Sequence, residues 1–487
     1  IKNFKGIENI TFNLDKSPDA NIYTLVGLNE SGKTTILEAI NLFNPSDRDI
    51  SALELPGATI KDYNSLIPIS RRDNFNGTIT IEVTLKLDDD DLKKINKFTA
   101  ANTPFRQVRT SNTLNTLKYF RHYRFKDSKF TKLESFWSGF DGRLKTEPEE
   151  KYINTYDESN PDTNIKLSVF CQGLIPSILY FPNFLFDFPS KIFLETKAEP
   201  TPKEKYYTEL IQDILYSLKN DTNIKTHLIG RIKSGDAHDR KSLERLLQLM
   251  EQNVTKVVFE AWNEIFKRQI KDTKIAIHYN TDSEGLPFLE FNIEAQDGIY
   301  NINERSLGFR WFFTFLLFTQ FRPFRKDSPK SIIFLFDEPA SNLHSSAQTQ
   351  LLKSFENLSH DTKIIYTTHS HHLINPNWLE STYIVENEGV KPEAPENDSP
   401  KKTNILIKPY REFVMRYPNK IDYFQPILNA LDYTPSNLEN VPNCVFLEGK
   451  NDYYTLVYFN EVIFNNKYEL NLAPSTGSGN LDTLISL

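Results

Sequence analysis

The chain has 487 residues, and at about 150 residues per domain that length predicts roughly three folding units, or two with large insertions, and excludes a single small binding module. Apolar residues make up 39% and charged residues 25%, with 36 Phe and 22 Tyr, so buried cores are expected, disorder is not the default, and no run of about 18 apolar residues predicts a membrane span. Lys and Arg total 57 against 64 Asp and Glu, a formal charge of −7, so any nucleic-acid surface must be local, and two cysteines, Cys171 and Cys444, exclude a disulfide framework or Cys-rich zinc site and fit a reducing, cytoplasmic setting.

Ile1, Phe4, Ile7, Ile10, Phe12 and Leu14 read as an opening strand, and the chain looks trimmed at both ends, starting without Met and stopping at Leu487 within a helical pattern. A second strand, a Gly-rich loop and a helix follow to about residue 45, the helix running from Lys33 to Phe43 with Ile36, Leu37, Ile40 and Leu42 on its apolar side. From Gly77 to Leu87, Ile79, Ile81, Val83 and Leu85 alternate with Thr80, Glu82, Thr84 and Lys86, which predicts a half-buried strand in a β-rich layer. The acidic run Asp88 to Asp91 is read as the cap of a short helix and given no function.

Between Phe105 and Lys132, Arg106, Arg109, Lys118, Arg121, Arg124, Lys126, Lys129 and Lys132 stand against the single acid Asp127, with Tyr119, Phe120, Tyr123, Phe125 and Phe130 interleaved. That mix suits phosphate contacts with base stacking, and equally the solvated face of a sheet whose aromatics fill its core. Tyr206 to Phe266 carries apolar residues at three-to-four-residue intervals, a helical insertion too short for a long coiled-coil arm. Residues 272 to 294 alternate as strands, and 306 to 320 read as an apolar helix. Strands are expected at Ser331 to Phe336 and Lys363 to Thr367. Glu386 to Lys402, with Pro392, Pro395 and Pro400, reads as a surface loop or linker, followed by helices around 409 to 431 and a strand at Cys444 to Leu447.

Gly27-Leu28-Asn29-Glu30-Ser31-Gly32-Lys33-Thr34 matches G-x-x-x-x-G-K-[ST] between a strand and a helix. Its backbone N–H groups would cradle a β-phosphate, Lys33 would reach the β- and γ-oxygens and Thr34 would ligate Mg²⁺. The nucleotide-binding set is Gly27, Asn29, Gly32, Lys33, Thr34 and Thr35. Asp337 and Glu338 follow the apolar strand Ile332 to Phe336, Asp337 as a magnesium ligand and Glu338 to orient or deprotonate the attacking water. Ser341-Asn342-Leu343-His344 comes next, and His369, after another strand, would hydrogen-bond the γ-phosphate.

This arrangement resembles the ABC-type ATPases, in the branch of the Rad50, RecF and OLD-family proteins, over roughly residues 1 to 385. The resemblance implies a signature loop at Arg305 to Phe309, with Ser306 and Gly308 in the family's Ser and Gly places, and a head-to-head dimer closing two ATP sites. Leu307 and Phe309 depart from L-S-G-G-Q. The family's glutamine is not placed, since Gln107 and Gln172 both lie in plausible regions. After the linker, Val445-Phe446-Leu447-Glu448-Gly449-Lys450-Asn451-Asp452 looks like the opening of a Toprim domain, with Glu448 in the place of its first acidic residue, a catalytic metal ligand or general acid/base, and Asp452 as a further metal ligand. The D-x-D of that domain would lie beyond Leu487.

The expected fold class is therefore α/β, an ABC-type ATPase head with a β-rich layer and a helical insertion, followed by the start of a Toprim α/β domain. Its expected divisions are 1–200 and 271–385 for the two parts of the ATPase, 201–270 for a helical insertion or dimerisation region, 386–440 for linker and helices, and 441–487 for the truncated nuclease domain. The resemblance implies an OLD-family-like endonuclease in bacterial anti-phage defence, of the retron-associated, Gabija-like or PARIS-like kind. ATP and Mg²⁺, with Mn²⁺ as a further option at the Toprim site, would be its cofactors. A homodimer or higher oligomer, DNA, and a reverse transcriptase with RNA–DNA hybrid or another defence protein would be its partners. The alternatives are a non-catalytic ATPase scaffold that restrains a toxin, and a RecF- or Rad50-like repair ATPase.

Overall fold

The computed structural model describes residues 1–15, 21–44, 63–111, 115–146, 151–155, 161–181, 188–195, 200–218, 221–266, 273–325, 332–339, 341, 343, 345–359, 362–389, 403–414, 431, 445–447, 450–465, 467–468 and 472–474. At its centre is a six-stranded sheet in the order Ser177–Phe181, Ile332–Phe336, Lys363–Thr368, Ile22–Val26, Thr382–Asn387 and Ile405–Pro409. The first five strands are parallel and the last is antiparallel. Strands covered on both faces need apolar residues at every position rather than every second one, and Ile22–Val26 and Ser177–Phe181 are buried throughout.

One face of this sheet carries the helix Lys33–Asn41, and outside it a five-stranded antiparallel sheet in the order Ile7–Asn9, Lys2–Phe4, Gly77–Lys86, Thr116–Lys126 and Lys129–Trp137. Tyr23, Leu25, Ile365 and Tyr383 of the parallel sheet, Ile36 and Leu37 of the helix, and Ile79, Ile81, Tyr119 and Tyr123 of the outer sheet form a single core. The opposite face packs on the helices Pro202–Leu218, Ala237–Phe266, Leu307–Phe321 and Ser345–Leu358 through Phe181, Phe334, Phe336 and Tyr366. The helices expected as an insertion thus share the main core. Lys274–Thr281 and Pro287–Ala295 pair as a hairpin in a smaller sheet.

Asp88 caps the helix Asp89–Asn102 through a reciprocal capping box with Asp91, at 14 residues longer than the short helix expected. The larger difference lies after residue 385. Thr382–Asn387 and Ile405–Pro409 belong to the central sheet, so the expected linker and helices at 386–440 begin inside it. The helix Tyr410–Val414 follows, and 415–430 lie outside the described residues. Ile405–Pro409 closes with a proline, which suits an edge strand whose outer N–H groups need no ladder partner.

A buried ion pair ties the helix Pro202–Leu218 to the segment after Leu307–Phe321. Arg325 Nε donates to Asp213 Oδ1 at 2.9 Å, Nη2 to Asp213 Oδ2 at 2.6 Å, and Nη1 to Glu209 Oε2 at 2.5 Å. Burial pushes the Asp213 carboxyl from 3.8 up to about 6 despite the downward pull of Arg325. Arg325→Ala leaves that carboxyl buried without its cation and is expected to cost about 3–5 kcal/mol in urea unfolding. A loss below about 1 kcal/mol would show the pair to be dispensable. Because folded Asp213 holds its proton more tightly than the unfolded chain does, its contribution to stability is present below about pH 4 and is lost as the pH rises through about 6.

Candidate nucleotide site

The loop Gly27 to Gly32 leaves the C-terminal end of Ile22–Val26 and enters the helix Lys33–Asn41, placing the helix N-terminus beside the ends of the neighbouring parallel strands. Gly32 takes the left-handed conformation, with φ +100°. A Cβ there would lie 2.4 Å from the Ile405 side chain, and one at Gly27 would lie 2.4 Å from the Val385 carbonyl oxygen. The strand that straddles the expected end of the ATPase and the one after it therefore buttress the loop, and Asn387 adds a hydrogen bond to the Glu30 carbonyl at 3.1 Å.

Lys33 is 5% exposed, and its ammonium donates to the Gly27 and Leu28 carbonyls at 2.8 and 2.9 Å and pairs with Glu338 at 3.0 Å. Thr34 Oγ1 donates to Asp337 Oδ2 at 2.8 Å, joining loop and strand end. Thr367 Oγ1 donates to Asp337 Oδ1 at 2.7 Å and accepts from the Glu338 N–H at 2.7 Å. The Tyr180 hydroxyl reaches Asp337 Oδ2 at 3.4 Å. Glu338 lies just past the strand, at φ +50°, a strained conformation for a residue with a side chain. That turn aims its carboxylate at both Lys33 and His369 Nδ1.

The two adjacent carboxyls are shifted in opposite directions. Burial raises Asp337, against the lowering hydrogen bonds from Thr367 and Thr34. Burial also works to raise Glu338, but the bond to His369 and the charge of Lys33 outweigh it and hold it below its ordinary value.

These residues fit a magnesium-bound nucleoside triphosphate. Lys33 is a buried cation already aimed into the loop, the left-handed Gly32 lets the backbone curl, and the buried Ser31 Oγ has no hydrogen-bond partner among the described residues. Thr34 and Asp337 supply the hard oxygen ligands such an ion takes.

Lys33, Thr34, Asp337, Glu338 and His369 are brought together as the sequence suggests, while Asn29 is exposed at the loop tip and Thr35 sits in the first turn of the helix. Ser306 and Gly308 belong to another element: Ser306 caps the helix Leu307–Phe321 by accepting from the Phe309 N–H at 3.4 Å, and Gly308 lies in its first turn. Gln172 donates to Asn44 Oδ1 at 3.0 Å, just past the loop helix, and Gln107 is exposed on Phe105–Thr110. Ser341 N–H donates to the Glu338 carbonyl at 3.3 Å, and Asn342 and His344 lie outside the described residues. Sequence reasoning missed Tyr180 and Thr367. The hydroxyl run around Thr367 was a signal for the second, and nothing in the sequence pointed to the first.

At the C-terminal end, Val445–Leu447 pairs in parallel with Leu472–Pro474, with the helix Lys450–Tyr458 between them. Glu448 and Gly449 lie outside the described residues, and Asp452 is exposed in the first turn of the helix. Among the described residues no group of three or more His, Cys, Asp or Glu is placed to hold a metal ion, and no helix is long and apolar enough to cross a membrane.

The AAA ATPase domain family model matches residues 1–374, and the chain belongs to that family. It carries an ATPase domain of mixed α/β fold. The uncharacterized protein MJECL43 of Methanocaldococcus jannaschii is 32% identical over 107 residues, which cover 20% of this chain and 27% of that protein, so the match spans about a quarter of the relative's length. Among solved structures, the SMC head bound to the C-terminal winged-helix domain of ScpA aligns at 13% identity with a TM-score of 0.40, over 85% of this chain and 97% of that one. The SMC head with an extended coiled coil bound to the C-terminal domain of ScpA, from Pyrococcus furiosus, aligns at 13% identity with a TM-score of 0.38, over 85% and 96%.

Proposed function

We propose that this chain hydrolyses ATP as a head of the ABC type, working as a homodimer or higher oligomer whose second copy brings Ser306 and Gly308 to the γ-phosphate. The observation that carries the ATP reading is the 2.8 Å bond between Thr34 and Asp337, 303 residues apart, beside the Lys33–Glu338 pair. Thr34 and Asp337 would hold Mg²⁺, which when bound neutralises charge on the phosphates. Lys33 would bind the β- and γ-oxygens, and Glu338, kept ionised, would accept a proton from the attacking water. His369 would position Glu338 and donate to the γ-phosphate. Phosphate release from ATP is expected to need Mg²⁺ and to fall to background in EDTA; an undiminished rate in EDTA would overturn the metal assignment.

We further propose that the strand–helix–strand unit at 445–474 opens a Toprim-like domain, making the protein an OLD-family-like DNA endonuclease gated by ATP. Glu448 and Asp452 would be metal-holding residues for Mg²⁺ or Mn²⁺. Anti-phage defence, with a reverse transcriptase and RNA–DNA hybrid or another defence protein as partner, is the setting the sequence resemblance favours. Support comes from the order of ATPase and βαβ unit together with the E-G-x-x-D stretch. Supercoiled plasmid is expected to be cut by the wild-type protein with Mg²⁺ or Mn²⁺ and to stay intact with Glu448→Ala; equal cutting by both would sink the nuclease assignment.

A further inference from the structure

The basic and aromatic stretch after Phe105 divides sharply once folded. Tyr119, Tyr123 and Phe125 are buried in the core beneath the five-stranded antiparallel sheet. Alternation sends Phe120, His122 and Arg124 to the other side, where the register sets Phe120 opposite Phe136, His122 opposite Glu134, and Arg124 opposite Lys132. Phe120 and Phe136 stack with centroids 4.9 Å apart, His122 meets Phe136 edge-on at 4.9 Å, and Phe136 is 43% exposed. Thr78, Thr80 and Thr84 of the neighbouring strand continue this face.

Around the rings stand Lys86, Lys118, Arg124, Lys126, Lys129 and Lys132, against the carboxylates Glu82 and Glu134 on the strands and Asp127 at the exposed turn between Lys126 and Lys129. Glu82 pairs with Lys118 at 2.7 Å, and Glu134 pairs with Arg124 and with Lys132. Lys86, Lys126 and Lys129 have no ion pair among the described residues. In a chain of net charge −7, a cationic sheet face with rings at its middle is a local exception.

We infer that the outer face of this sheet binds single-stranded nucleic acid, with bases stacked on Phe120, His122 and Phe136 and phosphates along the flanking lysines. Charge complementarity selects a polyanion. The rings select unpaired bases, since side chains on a flat sheet reach base faces only where the strand is open. The basis is separate from the nucleotide site and from the nuclease assignment, and binding in EDTA without nucleotide tests it apart from both.

The measurement is fluorescence anisotropy of labelled oligo(dT), 20 nucleotides long, with the full chain. A duplex of equal length and poly-L-glutamate serve as the other probes. Phe120→Ala/Phe136→Ala is expected to weaken oligo(dT) binding by about tenfold to a hundredfold, and Phe136→Leu, which keeps the bulk but removes the stack, by several-fold. Lys126→Gln/Lys129→Gln is expected to lower the slope of log affinity against log salt by about 0.7 for each phosphate that no longer meets a lysine. Unchanged ATP hydrolysis in each variant reports an intact fold. Absence of oligo(dT) binding, duplex binding as tight as single-strand binding and indifferent to the ring substitutions, or binding of poly-L-glutamate alone would each overturn the assignment. The last outcome would make the face a dock for an acidic protein segment.

Discussion

Lys33→Ala is expected to weaken ATP binding by about a hundredfold or more and to bring hydrolysis to background. The ammonium is 5% exposed and held by two loop carbonyls and Glu338, so its position is set before any ligand arrives. Truncating one member of a buried, hydrogen-bonded charge pair costs about 2–5 kcal/mol, which converts to roughly thirtyfold to several thousandfold in affinity. Two effects add in the same direction. The triphosphate loses its buried cation, and Glu338, 10% exposed, keeps His369 as its one side-chain partner among the described residues and projects uncompensated negative charge toward the anion. Lys33→Arg would not restore binding, because a planar guanidinium cannot replace a point charge inside a closed loop. Isothermal titration with ATP and a phosphate-release assay check both expectations, and an affinity within about threefold of wild type would remove Lys33 from the site.

Much of this site is legible in the sequence because each part is local. The G-x-x-x-x-G-K-T run, the apolar strand ending in Asp337-Glu338 and the strand before His369 each announce themselves through composition and period. What joins them is not local. The Tyr180 hydroxyl reaches Asp337 only because Ser177–Phe181 runs parallel to Ile332–Phe336, a pairing across more than a hundred residues that no spacing reveals. Ile405–Pro409 escapes notice for another reason: five residues after a Pro-rich stretch, ending in proline, look like loop, and pairing with Thr382–Asn387 makes them a strand. In the basic and aromatic stretch the interleaving of rings and charges was visible, but interleaving does not say which face is inside. The core beneath the antiparallel sheet makes that choice, taking Tyr119 and Tyr123 and leaving Phe120 and His122 outside. Ser306 shows the same limit, since its place as a helix cap is set by its own turn, whereas the role proposed for it depends on a phosphate held by a second copy.

Glu338→Gln is expected to slow hydrolysis by about a hundredfold to ten-thousandfold while ATP binding becomes a few-fold tighter. The two effects have one origin. Glu338 is held ionised by His369 and Lys33 against the opposing effect of burial, so its oxygens are free to accept from the attacking water. Its amide analogue keeps the shape, accepts from Lys33 and donates to His369, but cannot take a proton from water. Without nucleotide, the carboxylate also competes for the ammonium of Lys33, 3.0 Å away, and a triphosphate must displace it. Removing that charge frees Lys33 for the phosphates, and because the ammonium keeps its bonds to the Gly27 and Leu28 carbonyls and to the new amide oxygen, the gain is about 1 kcal/mol or less, a few-fold in affinity. The variant should therefore accumulate as an ATP-bound species, and as a dimer if the second copy closes the site. Single-turnover hydrolysis and light scattering with ATP separate the two readouts. Weaker ATP binding alongside slow hydrolysis would mean that Glu338 holds the loop in shape rather than serving as the base.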